Sequence, residues 1–205
     1  MDLPMSSALK RSDFIGVWQR ESISIEGGDP YEDLNVLWLH TGDYFADIRF
    51  PRPSETQAIT TAFAGRAYWQ SPRMRFEHEI DLTKEFAEDT GHMSFASGKL
   101  IEKGKVTVNE KVIKFEEVWT QLVCANEADC QVARRVDGQI RGQFVRVGAY
   151  AVVMQETGDQ FSGGRWQYLD DEWHLQYGLG DVSALASLLH CLIDHSLTRN
   201  WKILI

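Results

Sequence analysis

The sequence predicts an all-β fold, an antiparallel barrel with one short helix near its C-terminus. Three observations carry that expectation. Apolar and polar residues alternate with period two through most of the chain, in segments rich in aromatic and β-branched residues. Turn signals recur at short intervals, at Thr41-Gly42-Asp43, Asp137-Gly138, Gly158-Asp159 and Asp170-Asp171. Only residues 182–195 space their apolar positions by three and four, and nothing alternates strand with helix as a parallel sheet requires.

In order along the chain, residues 14–25, 35–39 and 44–50 read as the first three strands, and Pro51 and Pro53 end the third. Residues 62–70 and 75–82 follow, separated by Ser71-Pro72. On strict alternation Phe76, His78, Ile80 and Leu82 share one face of the fifth strand. Glu77, Glu79 and Asp81 share the other, the pattern of a sheet wet on one side. Residues 83–89 are polar and read as a single helical turn. Further strands are expected at 93–96, 99–102, 106–108 and 111–123, then, beyond a loop at 125–129, at 131–136, 139–146, 150–156, 160–169 and 172–177. Asp181 is placed to cap the helix, whose apolar face carries Leu185, Leu188, Leu189 and Leu192. The apolar tail 201–205 reads as a last strand or a docked segment, because left exposed it would promote aggregation.

Composition narrows the function classes. A chain of 205 residues with 43% hydrophobic residues builds a core without metal or disulfide staples. Its net charge of −9 and lack of a basic patch argue against a nucleic-acid partner. No run of apolar residues is long enough to span a membrane as a helix. The N-terminus lacks a basic segment followed by an apolar one, so no signal peptide is expected and the cytoplasm is the expected compartment. Cys124, Cys130 and Cys191 are an odd number, which suits free thiols. The histidines form no metal-binding spacing, and the sequence calls for neither metal nor cofactor.

The two halves echo one another. Val17-Trp18-Gln19 is matched by Val118-Trp119-Thr120, Phe63-Ala64-Gly65 by Phe161-Ser162-Gly163, and His78 by His174. This suggests a duplicated unit, with one half near 12–102 and the other near 105–205, sharing a core.

Phe14-Ile15-Gly16-Val17-Trp18 resembles the Gly-x-Trp signature of the first strand in lipocalins and related calycins. That resemblance implies a Trp18 that plugs the closed end of a barrel beside Gly16, and Trp119 looks like a second copy without the glycine. Trp38 to Arg49 and Ala62-Phe63-Ala64-Gly65 are similar to the HRI1-like proteins, a calycin-like family of uncertain function. This resemblance supports the barrel and brings no catalytic residues with it.

A barrel of this kind can hold a small ligand, so the polar residues that point inward are the candidates. In the third strand Phe45, Asp47 and Arg49 share a face, where Arg49 can grip a carboxylate in a bidentate way. His78 sits among apolar residues, and one of Glu116 and Glu117 must face inward. A buried Glu117 needs a partner, with Arg146 and Tyr150 among the candidates. His174 completes the set. The expected function is binding of a small apolar, amphipathic or carboxylate-bearing molecule. The alternative is a protein-interaction or structural module, a homodimer included, whose halves fill each other's interiors. Acid–base catalysis through a buried glutamate is the least favoured reading.

Overall fold

The computed structural model describes residues 9–53, 60–84, 89–108, 111–194, 196 and 200–205. The first eight strands are β1 (Gly16–Ile25), β2 (Leu34–His40), β3 (Tyr44–Pro51), β4 (Thr61–Gln70), β5 (Arg73–Asp81), β6 (Asp89–Ala96), β7 (Lys99–Val108) and β8 (Lys111–Cys124). Each pairs antiparallel with the next, and β8 returns to β1, closing the barrel. A second, open sheet follows. Its strands β9 (Cys130–Asp137), β10 (Ile140–Val147), β11 (Tyr150–Thr157), β12 (Gln160–Leu169) and β13 (Glu172–Leu179) form a meander. The helix α1 (Val182–Ile193) crosses that sheet, and β14 (Trp201–Ile203) pairs with β9 at its far edge.

Most expected strands are present, with informative differences. The short pieces at 93–96, 99–102 and 106–108 are parts of two longer strands, β6 and β7, because ladder hydrogen bonds carry the glycines and polar residues between them. The helical turn expected at 83–89 lies largely outside the described residues, and Asp89 already belongs to β6. The helix ends at Ile193, and His195 also lies outside the described residues. Asp181 Oδ1 accepts from the Ala184 amide at 3.0 Å, the expected N-cap.

Residues 105–124 belong to the barrel: β7 continues through them and β8 closes the ring. Trp18 and Trp119 therefore lie in one core, on adjacent strands. One unit is closed and the other open, so the architecture does not show a duplication.

Three layers of apolar packing follow from alternation. Inward side chains such as Trp38, Phe45, Met74 and Leu100 fill the barrel. Outward ones on the same strands, among them Leu39, Ile48 and Ile80, pack against Val145, Val152 and Met154 of the second sheet. That sheet's other face, with Phe144, Val153 and Trp166, meets Leu185, Leu189 and Leu192 of α1. Polar and aromatic ties fix the first interface. Gln143 Nε2 donates to the carbonyls of Phe45 (2.8 Å) and Gly65 (3.2 Å), while Phe50 stacks on Tyr177 at 4.2 Å.

A short 3-10 turn, Arg11–Phe14, closes one end of the barrel. Trp18 is 1% exposed there. Its Nε1 donates to the Phe14 carbonyl at 2.7 Å, and its ring lies 6.1 Å from that of Trp38. Gly16 begins β1 at φ +155, and a Cβ at that position would come within 2.3 Å of the Val123 carbonyl oxygen. Trp18→Ala empties this plug and is expected to destabilise the fold by about 3–5 kcal/mol. Urea unfolding measures it, and a loss near zero rejects the plug role.

Candidate functional site

Away from the plug, the barrel interior changes character. It holds a cavity of about 320 Å³ with six aromatic residues in its wall, Trp38, Phe45, Phe63, Phe76, Phe115 and Trp119. Five carboxyl groups and three basic groups share that wall. Each arrives there for a local reason.

On β3, alternation sends Phe45, Asp47 and Arg49 inward and Ala46, Ile48 and Phe50 outward against the second sheet. On β8, Glu117 points in between Phe115 and Trp119, while Glu116 points out and pairs with Lys103 at 2.7 Å. On β5 strict alternation fails. His78 pairs with Gly65 and Ile80 with Ala64, so Glu79 is an extra residue, a β-bulge. The bulge turns Ile80 outward and brings Asp81 to the same side as His78. It requires glycine opposite, since a Cβ on Gly65 would sit 1.9 Å from the Glu77 carbonyl oxygen. The expectation that Asp81 lies on the face away from His78 is thereby corrected.

The charges form two connected groups. Arg20 is 3% exposed and grips Glu32 through Nε (2.8 Å) and Nη2 (3.1 Å), while its Nη1 reaches Glu117. Arg49 donates to Asp47 through Nη2 at 2.8 Å and approaches Glu117 at 3.6 Å, and its guanidinium lies 5.0 Å over Phe63. Burial works against the Arg49 charge, but Asp47 and Glu117 outweigh it and hold the group more firmly protonated than usual. The guanidinium expected to grip a ligand's carboxylate is thus already shared by two carboxylates of the protein.

In the second group His78 is clamped. Its Nδ1 lies 2.8 Å from Asp81 and its Nε2 3.1 Å from Asp89, and its ring is parallel to Phe63 at 4.2 Å. Burial disfavours the imidazolium, yet the two carboxylates raise its pKa to about 9. Asp81 is fixed in turn by the amide and hydroxyl of Thr83, both at 2.8 Å.

Glu102, from β7, completes the wall beside its cross-strand neighbour Glu117. Burial, followed by the charges of Glu117 and Asp89, raises its pKa well above the usual carboxyl value. Asp89, Glu102, Arg20 and Glu32 were not among the sequence candidates. The available signal was the inward parity of β1 and β7, which places Arg20 with Trp18 and Glu102 with Leu100.

The remaining sequence candidates lie elsewhere. Arg146 is on the second sheet, donating to the Gly148 carbonyl at 3.0 Å, 6.0 Å from the Trp173 ring. The Tyr150 hydroxyl accepts from Gln167 at 3.0 Å. His174 is exposed and bonds the Leu169 carbonyl at 3.2 Å. None of the three lines the cavity, so neither Arg146 nor Tyr150 is the partner of Glu117. Among the described residues, no cluster of three histidine, cysteine or acidic side chains is arranged to hold a metal, and no helix is long and apolar enough to cross a membrane.

Two measurements probe this network. Arg49→Ala leaves Asp47 and Glu117 short of a counter-charge, and a loss on the order of 3 kcal/mol is expected in urea unfolding at neutral pH. Because His78 is more basic folded than unfolded, its pairing stabilises fully below about pH 6.5. That contribution fades as pH rises through about 9. The stability gap between the unaltered protein and His78→Gln is therefore expected to shrink across that window; a gap constant from pH 6 to 10 refutes the clamp.

Comparisons with known proteins agree with this architecture. A crystal structure of the uncharacterized protein YLR301w from Saccharomyces cerevisiae superposes with a TM-score of 0.65 at 16% identity, over 81% of this chain and 86% of that one. At this identity the likeness concerns the fold alone. No curated protein matches the chain. A family model described as Protein HRI1 matches residues 16–198, all eight strands of the barrel and the second sheet up to β14. The chain is a member of the HRI1 family.

Proposed function

We propose that the protein binds a small amphipathic molecule inside its barrel. The observation that carries this reading is the cavity of about 320 Å³, walled by aromatic rings and by charged groups already held in place by one another. Binding pockets combine an apolar wall with a few oriented polar groups, and a volume near 300 Å³ is at the small end of their range. The size equals roughly ten liquid waters, which suits a compact one- or two-ring molecule. Because Arg49 is engaged by Asp47 and Glu117, the reading favours an apolar body with a neutral or basic polar end over a carboxylate.

The rival reading is a module whose halves fill each other's interiors, and it has less support. The second sheet packs on the outer wall of the barrel through Val145, Val152 and Met154 and leaves the interior to the cavity. The three free thiols suit a reducing compartment such as the cytoplasm.

Native and denaturing mass spectra of protein purified gently from its own host test the proposal. A discrete extra mass, lost on denaturation and diminished in a Phe63→Trp variant that narrows the cavity, is the expected result. A bare polypeptide, together with no quenching of tryptophan fluorescence by neutral aromatic probes, rejects it.

A further inference from the structure

The polar groups of the cavity do not balance. Arg49 is shared by Asp47 and Glu117, His78 by Asp81 and Asp89, and Arg20 behind them by Glu32 and Glu117. Among the described residues, each of these three barrel cations is thus held by two carboxylates. Lys105, at the edge of the cavity, is exposed to solvent.

Glu102 is the carboxyl left over. It is 5% exposed, it lines the cavity, and among the described residues no group hydrogen-bonds it. The sequence makes room for it: a Cβ on Gly91 would fall 2.2 Å from Glu102 Oε1. The charged groups that face it are Glu117 from β8, Asp89 from β6, and Asp47 and Arg49 from β3. Three of those four are acidic. His78 of β5, which also lines the cavity, is occupied by its own two aspartates.

Surrounded by protein groups alone, such a carboxyl resists giving up its proton, since a further buried negative charge has no counter-charge. A ligand carrying an ammonium or amidinium group supplies that counter-charge, and the aromatic wall is a favourable surface for the same cation. We infer that the barrel selects a compact cationic ligand, an aromatic or alicyclic amine, with Glu102 as the anchor that gives up its proton when the cation enters. This rests on the barrel being a small-molecule binder and specifies the class of molecule. The exchange balances: the carboxyl releases one proton to solvent, the ligand's cation takes its place, and no covalent bond between heavy atoms changes.

The test uses three probes with a common indole body and different polar ends: tryptamine (cationic), tryptophol (neutral) and indole-3-propionate (anionic). Calorimetric titration at pH 6 in two buffers of different ionisation enthalpy measures affinity and counts protons. Tryptamine is expected to bind at least about ten-fold more tightly than either other probe. It is also expected to release protons on binding. His78, with its pKa of about 9, stays charged at this pH and does not contribute to the count. Glu102→Gln is expected to lose both the proton release and the preference for tryptamine while still binding tryptophol. The comparison of the three probes on the unaltered protein stands by itself should that variant fail to fold. Equal affinity for all three, a preference for the anion, or tryptamine binding without proton release overturns the cationic assignment and leaves the small-molecule barrel intact. No binding of any probe up to on the order of 1 mM overturns both.

Discussion

The Glu117 carboxylate lies between two guanidiniums, Arg20 and Arg49, and the polar half of the barrel depends on that shared contact. A buried cation is tolerated only beside compensating charge. Arg20 draws its second carboxylate from Glu32, between β1 and β2, and Arg49 draws its own from Asp47 on β3. One side chain of β8 thus joins charges carried by β1 and by β3. The same strand supplies Phe115 and Trp119 to the aromatic wall, so the closure and the site are built by one element.

The interior is divided along the barrel axis. At the closed end Phe14, Trp18 and Met93 pack without ionised groups, and the Trp18 indole finds its acceptor in the preceding 3-10 turn. Beyond Trp38 the interior becomes charged and leaves the cavity. This separation suits a binding site. The apolar end carries packing energy, and the polar end spends some of it holding charges in fixed positions. The second sheet contributes from outside. By covering Leu39, Ala46 and Ile48 it buries β2 and β3 on both faces, and Gln143 ties the backbone at Phe45 and Gly65, beside the bulge that orients His78 and Asp81.

Much of this was legible in the chain. Alternation in 44–50 placed Phe45, Asp47 and Arg49 on one face, and they share the cavity. The Gly-x-Trp start placed Trp18 at a plug, and two adjacent glutamates implied one inward carboxylate. The fifth strand was misread because a bulge inserts one residue and reverses the faces beyond it, and only the pairing with Gly65 reveals it. Arg146 and Tyr150 were candidates on residue type, and His174 as the echo of His78; all three fall on a sheet outside the barrel.

The sequence by itself determined the strands, the turns between them, the capped helix and the inward face of each regular strand, because these follow from neighbours within a few residues. Tertiary structure decided that eight strands close while six stay open. It also decided that Glu102, Asp89 and Glu117 meet, and that Arg49 is already paired. Those outcomes depend on which distant strands lie side by side and in what register. Pairing of that kind is set by the packing of the whole chain rather than by any one segment.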